Sequence, residues 1–144
     1  MMVVPVRIFG QEVRALNDSG ATRCFISPAG VTRCGLTVES HHTFLELGDG
    51  KKVLSRGRAV DIPVVTSGYA VKINLTVSRL LHGVDVVLGL TWLRVADPII
   101  RWSTGRFTFQ TPYLLFRESW VNGWTSRSRP GLSRYFLQMK IWNL

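Results

Sequence analysis

Ala15-Leu16-Asn17-Asp18-Ser19-Gly20-Ala21-Thr22 is the stretch on which the reading of this chain turns. An apolar strand ends at a carboxylate, which enters a tight Ser-Gly turn where backbone and hydroxyl donors converge. Gly20 can take a backbone conformation that other residues resist, which suits so short a turn. By itself Asp-Ser-Gly is an ordinary way to end a strand. A second segment gives it weight: Asp85-Val86-Val87-Leu88-Gly89-Leu90-Thr91-Trp92-Leu93 places apolar residues before a glycine, suited to packing beneath the first turn, and then starts a short helix.

The surrounding pattern is one of short strands. Val3–Phe9 and Glu12–Leu16 flank Gly10-Gln11 as a hairpin, and Thr43–Leu47 and Lys51–Ser55 flank Gly48-Asp49-Gly50 as a clearer one. Phe25–Leu36, broken by Pro28 and Gly30, has room for a strand end and one helical turn. Ala59–Val65 and Ala70–Val77 are joined by Thr66-Ser67-Gly68, and Val84–Leu88 is continuously apolar apart from Asp85, as a strand buried on both faces would be. The helix begun at Gly89 stops before Pro98, and Ile99–Trp102 and Arg106–Phe109 form a last hairpin around Ser103-Thr104-Gly105. Several short strands at turn-limited spacing predict an all-β barrel or sandwich. After Gln110 the alternation fails. Residues 111–144, with Trp120, Trp124, Trp142 and a basic excess, read as a tail or linker, with a helical turn or two over Tyr135–Ile141. Residues 1–110 form the folded domain.

Composition agrees with a β domain: Val, Ile and Thr number 35 of 144 residues, against 14 Ala, Glu and Lys, and branched side chains fit pleated sheets better than helices. With 46% hydrophobic and 19% charged residues, the chain can bury a core and is not of disordered composition. No apolar run approaches the roughly 18–20 residues of a membrane helix, and Arg7 interrupts the first apolar stretch too early for a secretory signal. Cys24 and Cys34 make neither a disulfide framework nor a metal quartet and read as free thiols in a reducing compartment. The net charge of +9 comes mostly from Arg, which suits phosphate contacts; its scatter along the chain makes nucleic acid a weakly supported partner.

Other chemistries are excluded by what the chain lacks. Gly48-Asp49-Gly50-Lys51-Lys52 fails the spacing of a phosphate-cradling loop, and there is neither a dinucleotide fingerprint nor a serine in a nucleophile elbow. His41, His42 and His82 have no Cys or carboxylate at metal-ligand spacing, and adjacent strand residues such as His41 and His42 point to opposite faces. Neither metal nor cofactor is expected. Asp18 remains as the reactive group.

The chain resembles the retropepsin-like aspartic proteases, and among them those encoded in the polyproteins of gypsy-type long-terminal-repeat retrotransposons. The resemblance runs from Val6 to about Phe109 and rests on Ala15–Ser27 (ALNDSGATRCFIS) and Asp85–Trp102 (DVVLGLTWLRVADPIIRW), in that order. It implies a small closed β-barrel subunit with one short helix, active as a two-fold dimer, in which Asp18 and its symmetry mate are the catalytic pair. Ser19, Gly20 and Ala21 would support the active-site turn, with Ser19 bonding across the interface. Leu47, Gly48, Asp49, Gly50 and Lys51 would be the tip of a flap closing over an extended polypeptide, and Leu88 and Gly89 a structural second motif. Asp85 would be an acidic residue without a catalytic role. One Asp-Ser-Gly element in 144 residues supports the dimer independently, since two carboxylates then require two chains.

Asn17 departs from the family pattern, which has an apolar residue before the aspartate; a buried Asn without partners costs roughly 1–3 kcal/mol. The expected function is an endopeptidase processing a retrotransposon polyprotein, intracellular, in the cytoplasm or in retroelement particles. The alternative is a protease-like fold without activity, serving as a dimerisation or protein-binding module.

Overall fold

The computed structural model describes residues 2–109 and 137–138. Strands β1 (Met2–Ile8) and β2 (Gln11–Asn17) form the first hairpin, in full antiparallel register from Met2↔Asn17 to Ile8↔Gln11. Val4, Val6 and Ile8 of β1 and Val13 and Ala15 of β2 lie in the main core, while Val3 and Leu16 belong to a smaller apolar cluster. Both faces of this hairpin are therefore occupied, one by the barrel interior and one by that second cluster.

The same division repeats in the next strands. β3 (Cys24–Ile26) sends Cys24 and Ile26 to the main core and Phe25 to the second cluster; β7 (Val86–Leu88) sends Val86 and Leu88 one way and Val87 the other. β4 (Glu39–Glu46), β5 (Lys52–Thr66) and β6 (Tyr69–Val77) complete a seven-stranded sheet in the order β1-β2-β7-β3-β6-β5-β4. Arg7↔Val65 and Ile8↔Val64 pair β1 with β5, closing six of these strands into a barrel and leaving β4 at the edge.

The described residues hold two seven-residue helices. α1 (Pro28–Cys34) is the helical turn expected after β3, extended to two turns. Ser27 caps it, its Oγ accepting from Gly30 N at 3.0 Å; Pro28 sits in the first turn, where its missing N–H is harmless, and left-handed Gly35 ends it. α2 (Leu90–Ala96) is the helix expected after Gly89 and ends at Asp97 in the left-handed region, just before Pro98. Its Trp92 is 1% exposed in the core.

β8 (Pro98–Arg101), β9 (Arg106–Phe109) and β10 (Leu137–Gln138) form a separate three-stranded antiparallel sheet. Phe107 is buried, and Phe109 stacks on Tyr69 with ring centroids 4.5 Å apart and meets Trp92 edge-on at 6.3 Å. This aromatic contact ties the small sheet to the barrel.

Two local expectations change. Lys51–Ser55 and Ala59–Val65 are parts of one strand: Gly57 does not break it but lets it cross Val38, whose Cγ1 would lie 2.5 Å from an added Cβ. Within Tyr135–Ile141, Leu137 and Gln138 are extended and pair with Phe107 and Arg106, using the open edge of β9, rather than helical. The β4–β5 register slips between Ser40↔Gly57 and Thr43↔Ser55, and across that slip His41 is half-buried and His42 exposed. Thr111, Trp120, Trp124, Trp142 and the proposed boundary near residue 111 lie outside the described residues.

Candidate active site

Asp18 follows the last residue of β2, and the turn after it is held by its own backbone. Asp18 N donates to Leu88 O at 3.1 Å, Ala21 N to Asp18 O at 3.2 Å, and Gly20 N to Asp18 Oδ1 at 2.8 Å. The carboxylate is thus oriented by the amide two residues ahead, as aspartates in such turns commonly are. Gly20 corrects one expectation, for it is not among the residues at positive φ. Its requirement is space: a Cβ there would stand 3.1 Å from Asp18 Oδ1. Ser19 and Gly20 are exposed and Ala21 half-buried against the second cluster.

Leu88-Gly89 lies directly beneath. Leu88 is fully buried, Leu90 N donates to Ala21 O at 2.8 Å, and a Cβ on Gly89 would fall 2.2 Å from Arg23 O and 2.6 Å from Ala21 O. Only glycine lets the strand pass under the loop. The structure therefore brings Asp18, Ser19, Gly20 and Ala21 together with Leu88 and Gly89.

The expected flap is a β4–β5 hairpin paired up to Glu46↔Lys52. Its tip is closed by Leu47 N to Lys51 O and Gly50 N to Leu47 O, both 2.8 Å, with Gly50 at φ +80°. Asp49 Oδ1 accepts from Lys51 N at 3.0 Å, and its other oxygen pairs with Lys51 Nζ at 3.2 Å. These bonds are internal to Leu47, Gly48, Asp49, Gly50 and Lys51; none joins the tip to the Asp18 turn.

Around the turn, three polar groups have distinct fates. Asp85, 8% exposed, accepts at Oδ2 from Arg14 N at 3.0 Å and from Arg33 Nη1 at 2.9 Å. It is spent joining β2, β7 and α1. Cys24 Sγ and Thr91 Oγ1 share a hydrogen bond at 3.2 Å. Asn17 keeps both amide atoms buried with no hydrogen-bond partner, and Trp92 Nε1 is in the same state. Cys34, beside Asp85, has its thiol pKa pushed up from 9.0 by burial first and by the Asp85 charge second.

Sequence reasoning missed the floor of the site. Leu16↔Val87 and Phe25↔Val87 align three apolar side chains across β2, β7 and β3, and Val3, Ala21, Leu80 and Val84 complete the cluster. Alternation along Val84–Leu88 was the available signal, but it is hidden in a strand buried on both faces. The Arg33–Asp85 pair carried no signal, since it joins residues 52 positions apart.

A six-stranded barrel whose β2 delivers an Asp-Ser-Gly turn onto a Leu-Gly support is the fold of a retropepsin-like protease domain. Comparison with known proteins agrees. The family model of the PEG10/RTL1 protease domain matches residues 14–116, and the chain belongs to that family. In fold it is similar to the retroviral protease-like domain of Ddi1 from Leishmania major (TM-score 0.59, 24% identity, covering 76% of this chain and 84% of that one). It is also similar to EIAV protease, solved with the inhibitor HBY-793 (TM-score 0.56, 18% identity, 66% and 86%). Among the described residues no helix is long and apolar enough to cross a membrane.

Proposed function

We propose that the chain is an aspartic endopeptidase that assembles as a homodimer and cleaves an extended polypeptide, a retroelement polyprotein being the substrate class implied by the family. The observation that carries this is the Asp18 carboxylate, oriented by Gly20 N–H at 2.8 Å on a turn that the rest of the fold supports. One such group is half of a general acid–base pair. Two copies meeting at a two-fold axis supply the other half, with Ser19 bonding across the interface. Carboxylates brought to about 3 Å cannot both ionise readily and share one proton. The ionised member draws a proton from water, whose oxygen attacks the peptide carbonyl; the protonated member donates to the carbonyl oxygen. Collapse of the tetrahedral species expels the amine, which takes up a proton.

The apolar floor of Leu16, Phe25 and Val87 offers a dry wall beside Asp18, and the 47–51 hairpin is the flap that closes from above. Asp85 has no part in the chemistry because its Oδ2 is committed to Arg14 and Arg33. Residues 111–144, of which Leu137 and Gln138 pair back onto β9, are the tail or linker of a domain that acts in the cytoplasm or inside retroelement particles. Cleavage of a mixed peptide library between about pH 4 and 7, compared with Asp18→Asn, tests this reading. Cleavage that vanishes in the variant supports it. A second reading, an inactive dimerisation or protein-binding module, is favoured by Asn17, whose unpartnered amide sits next to the reactive residue. A folded dimer that cleaves nothing in either form would select it.

A further inference from the structure

We infer that Arg23 makes this a site for acidic polypeptides, selecting substrates with Asp or Glu about three residues to either side of the cleaved bond. The inference rests on the proteolytic reading above and adds the class of substrate to it. Its basis is the register of three strands. β2 runs parallel to β7 with Asn17 opposite Leu88, and β3 runs antiparallel to β7 with Phe25 opposite Val87. Carried one step past Leu88, the first register sets Asp18 beside Gly89; carried back two steps from Phe25, the second sets Arg23 beside the same glycine. The closeness of Arg23 O to Gly89 and the Asp18 N–Leu88 O bond fit both extensions. Asp18 and Arg23 therefore stand two strand spacings apart, roughly 10 Å.

They also share a face. Cys24 and Ile26 point into the main core and Phe25 into the second cluster, so alternation sends Arg23 to the side of Phe25, Leu16 and Val87. Arg23 is exposed there. An extended peptide advances about 3.3 Å per residue, so in one that runs across these strands from Asp18 a residue roughly three places from the reacting carbonyl passes over the Arg23 backbone, within reach of its side chain. Two-fold symmetry puts one Arg23 on each side.

The cation is uncommitted. Of the other basic groups about the cleft and its hairpin, Arg33 pairs with Asp85, Lys51 with Asp49 and Arg58 with Glu39, while Lys52 and Arg56 form no ion pair with a described residue. Arg23 forms no ion pair with a described residue, and neither does Arg79, which precedes Leu80 of the apolar cluster in sequence. Of the carboxylates nearby, Asp85 and Asp49 are engaged and Glu46 lies opposite Lys52 on the hairpin. With a net charge of +9 overall, a basic substrate would be repelled and an acidic one drawn in.

The test uses peptides that share one cleavable core and differ only in Glu, Gln or Lys three residues from the bond. Wild type should cleave the Glu peptide with kcat/KM on the order of fivefold above the Lys peptide, a gap that narrows as salt rises from about 0.05 to 0.5 M. Arg23→Glu should reverse the order and Arg23→Gln flatten it, while Arg94→Gln, on the exposed side of α2, leaves it unchanged. The salt series on wild type needs no variant, so it decides the matter even if a substitution impairs folding. Peptide binding to Asp18→Asn, followed by fluorescence anisotropy, separates the two claims. Cleavage without charge preference overturns the role of Arg23 and leaves the protease standing. Acid-selective binding without cleavage by wild type keeps Arg23 and overturns hydrolysis; the absence of both overturns both.

Discussion

Asn17 continues the face of Val13 and Ala15 along β2, so its amide is carried among side chains that offer it nothing to bond. Leaving a buried amide unsatisfied costs roughly 1–3 kcal/mol, whereas an apolar side chain of similar size incurs no such penalty. Asn17→Leu should therefore raise the thermal midpoint, by about 4–8 °C for each kcal/mol recovered in a domain of this size. Scanning calorimetry at a concentration where the chain is assembled checks it; a fall would mean that a second copy satisfies the amide. Gly89 is the opposite case. Its Cβ would enter the backbone carbonyl of Arg23 at 2.2 Å, and backbone cannot yield as a side chain can. Gly89→Ala should cost about 1–3 kcal/mol in urea unfolding and displace the Asp18 turn. A variant as stable as wild type would show that the loop does not rest on this glycine.

Among the elements, α1 is secured at Asp85, and that junction has a pH signature. Cys34, its last residue, has a folded-state thiol pKa raised above 9.0, by burial and then by Asp85, so folding favours the protonated thiol. A group of raised pKa contributes its full stability below the unfolded value and loses it as pH climbs through the folded value. Stability of wild type should fall above about pH 9 more steeply than that of Cys34→Ala, read as the difference between two denaturant series. Parallel curves would remove Cys34 from the account. The elements also show what a linear sequence can reveal. Hairpins at Gly10 and Gly48-Asp49-Gly50 and the helix after Gly89 were legible because turn formers and capping residues act within a few positions. The continuity of β5 past Gly57, the closeness that fixes Gly89, and the Arg33–Asp85 tie were not, since each depends on a partner distant in sequence. Asp18 was legible as a carboxylate in a turn because the Gly20 N–H that aims it is only two residues ahead; that the turn rests on Leu88 and Gly89 needed the fold.

At the scale of the whole molecule, each chain presents a single Asp-Ser-Gly turn, and everything proposed for it depends on a second copy. That dependence predicts how mixtures behave. If the reacting pair is shared, Asp18→Asn chains still fold and assemble, because the turn is held chiefly by backbone bonds through Asp18 N and O, which Asn retains. Mixed with wild type and allowed to exchange, they capture active chains in dimers with one competent carboxylate. For random pairing, an equal amount of variant should reduce the activity of a fixed amount of wild type to about half, and a threefold excess to about a quarter. Independent active monomers would show no suppression at either ratio. Dilution adds a second constraint: specific activity should fall once the concentration drops below the dimer dissociation constant, since the site is lost when the chains part. Suppression and dilution loss together place the two carboxylates on different chains. Dilution loss without suppression would mean that dimers form but that each subunit cleaves alone, which would overturn the shared pair while keeping the dimer.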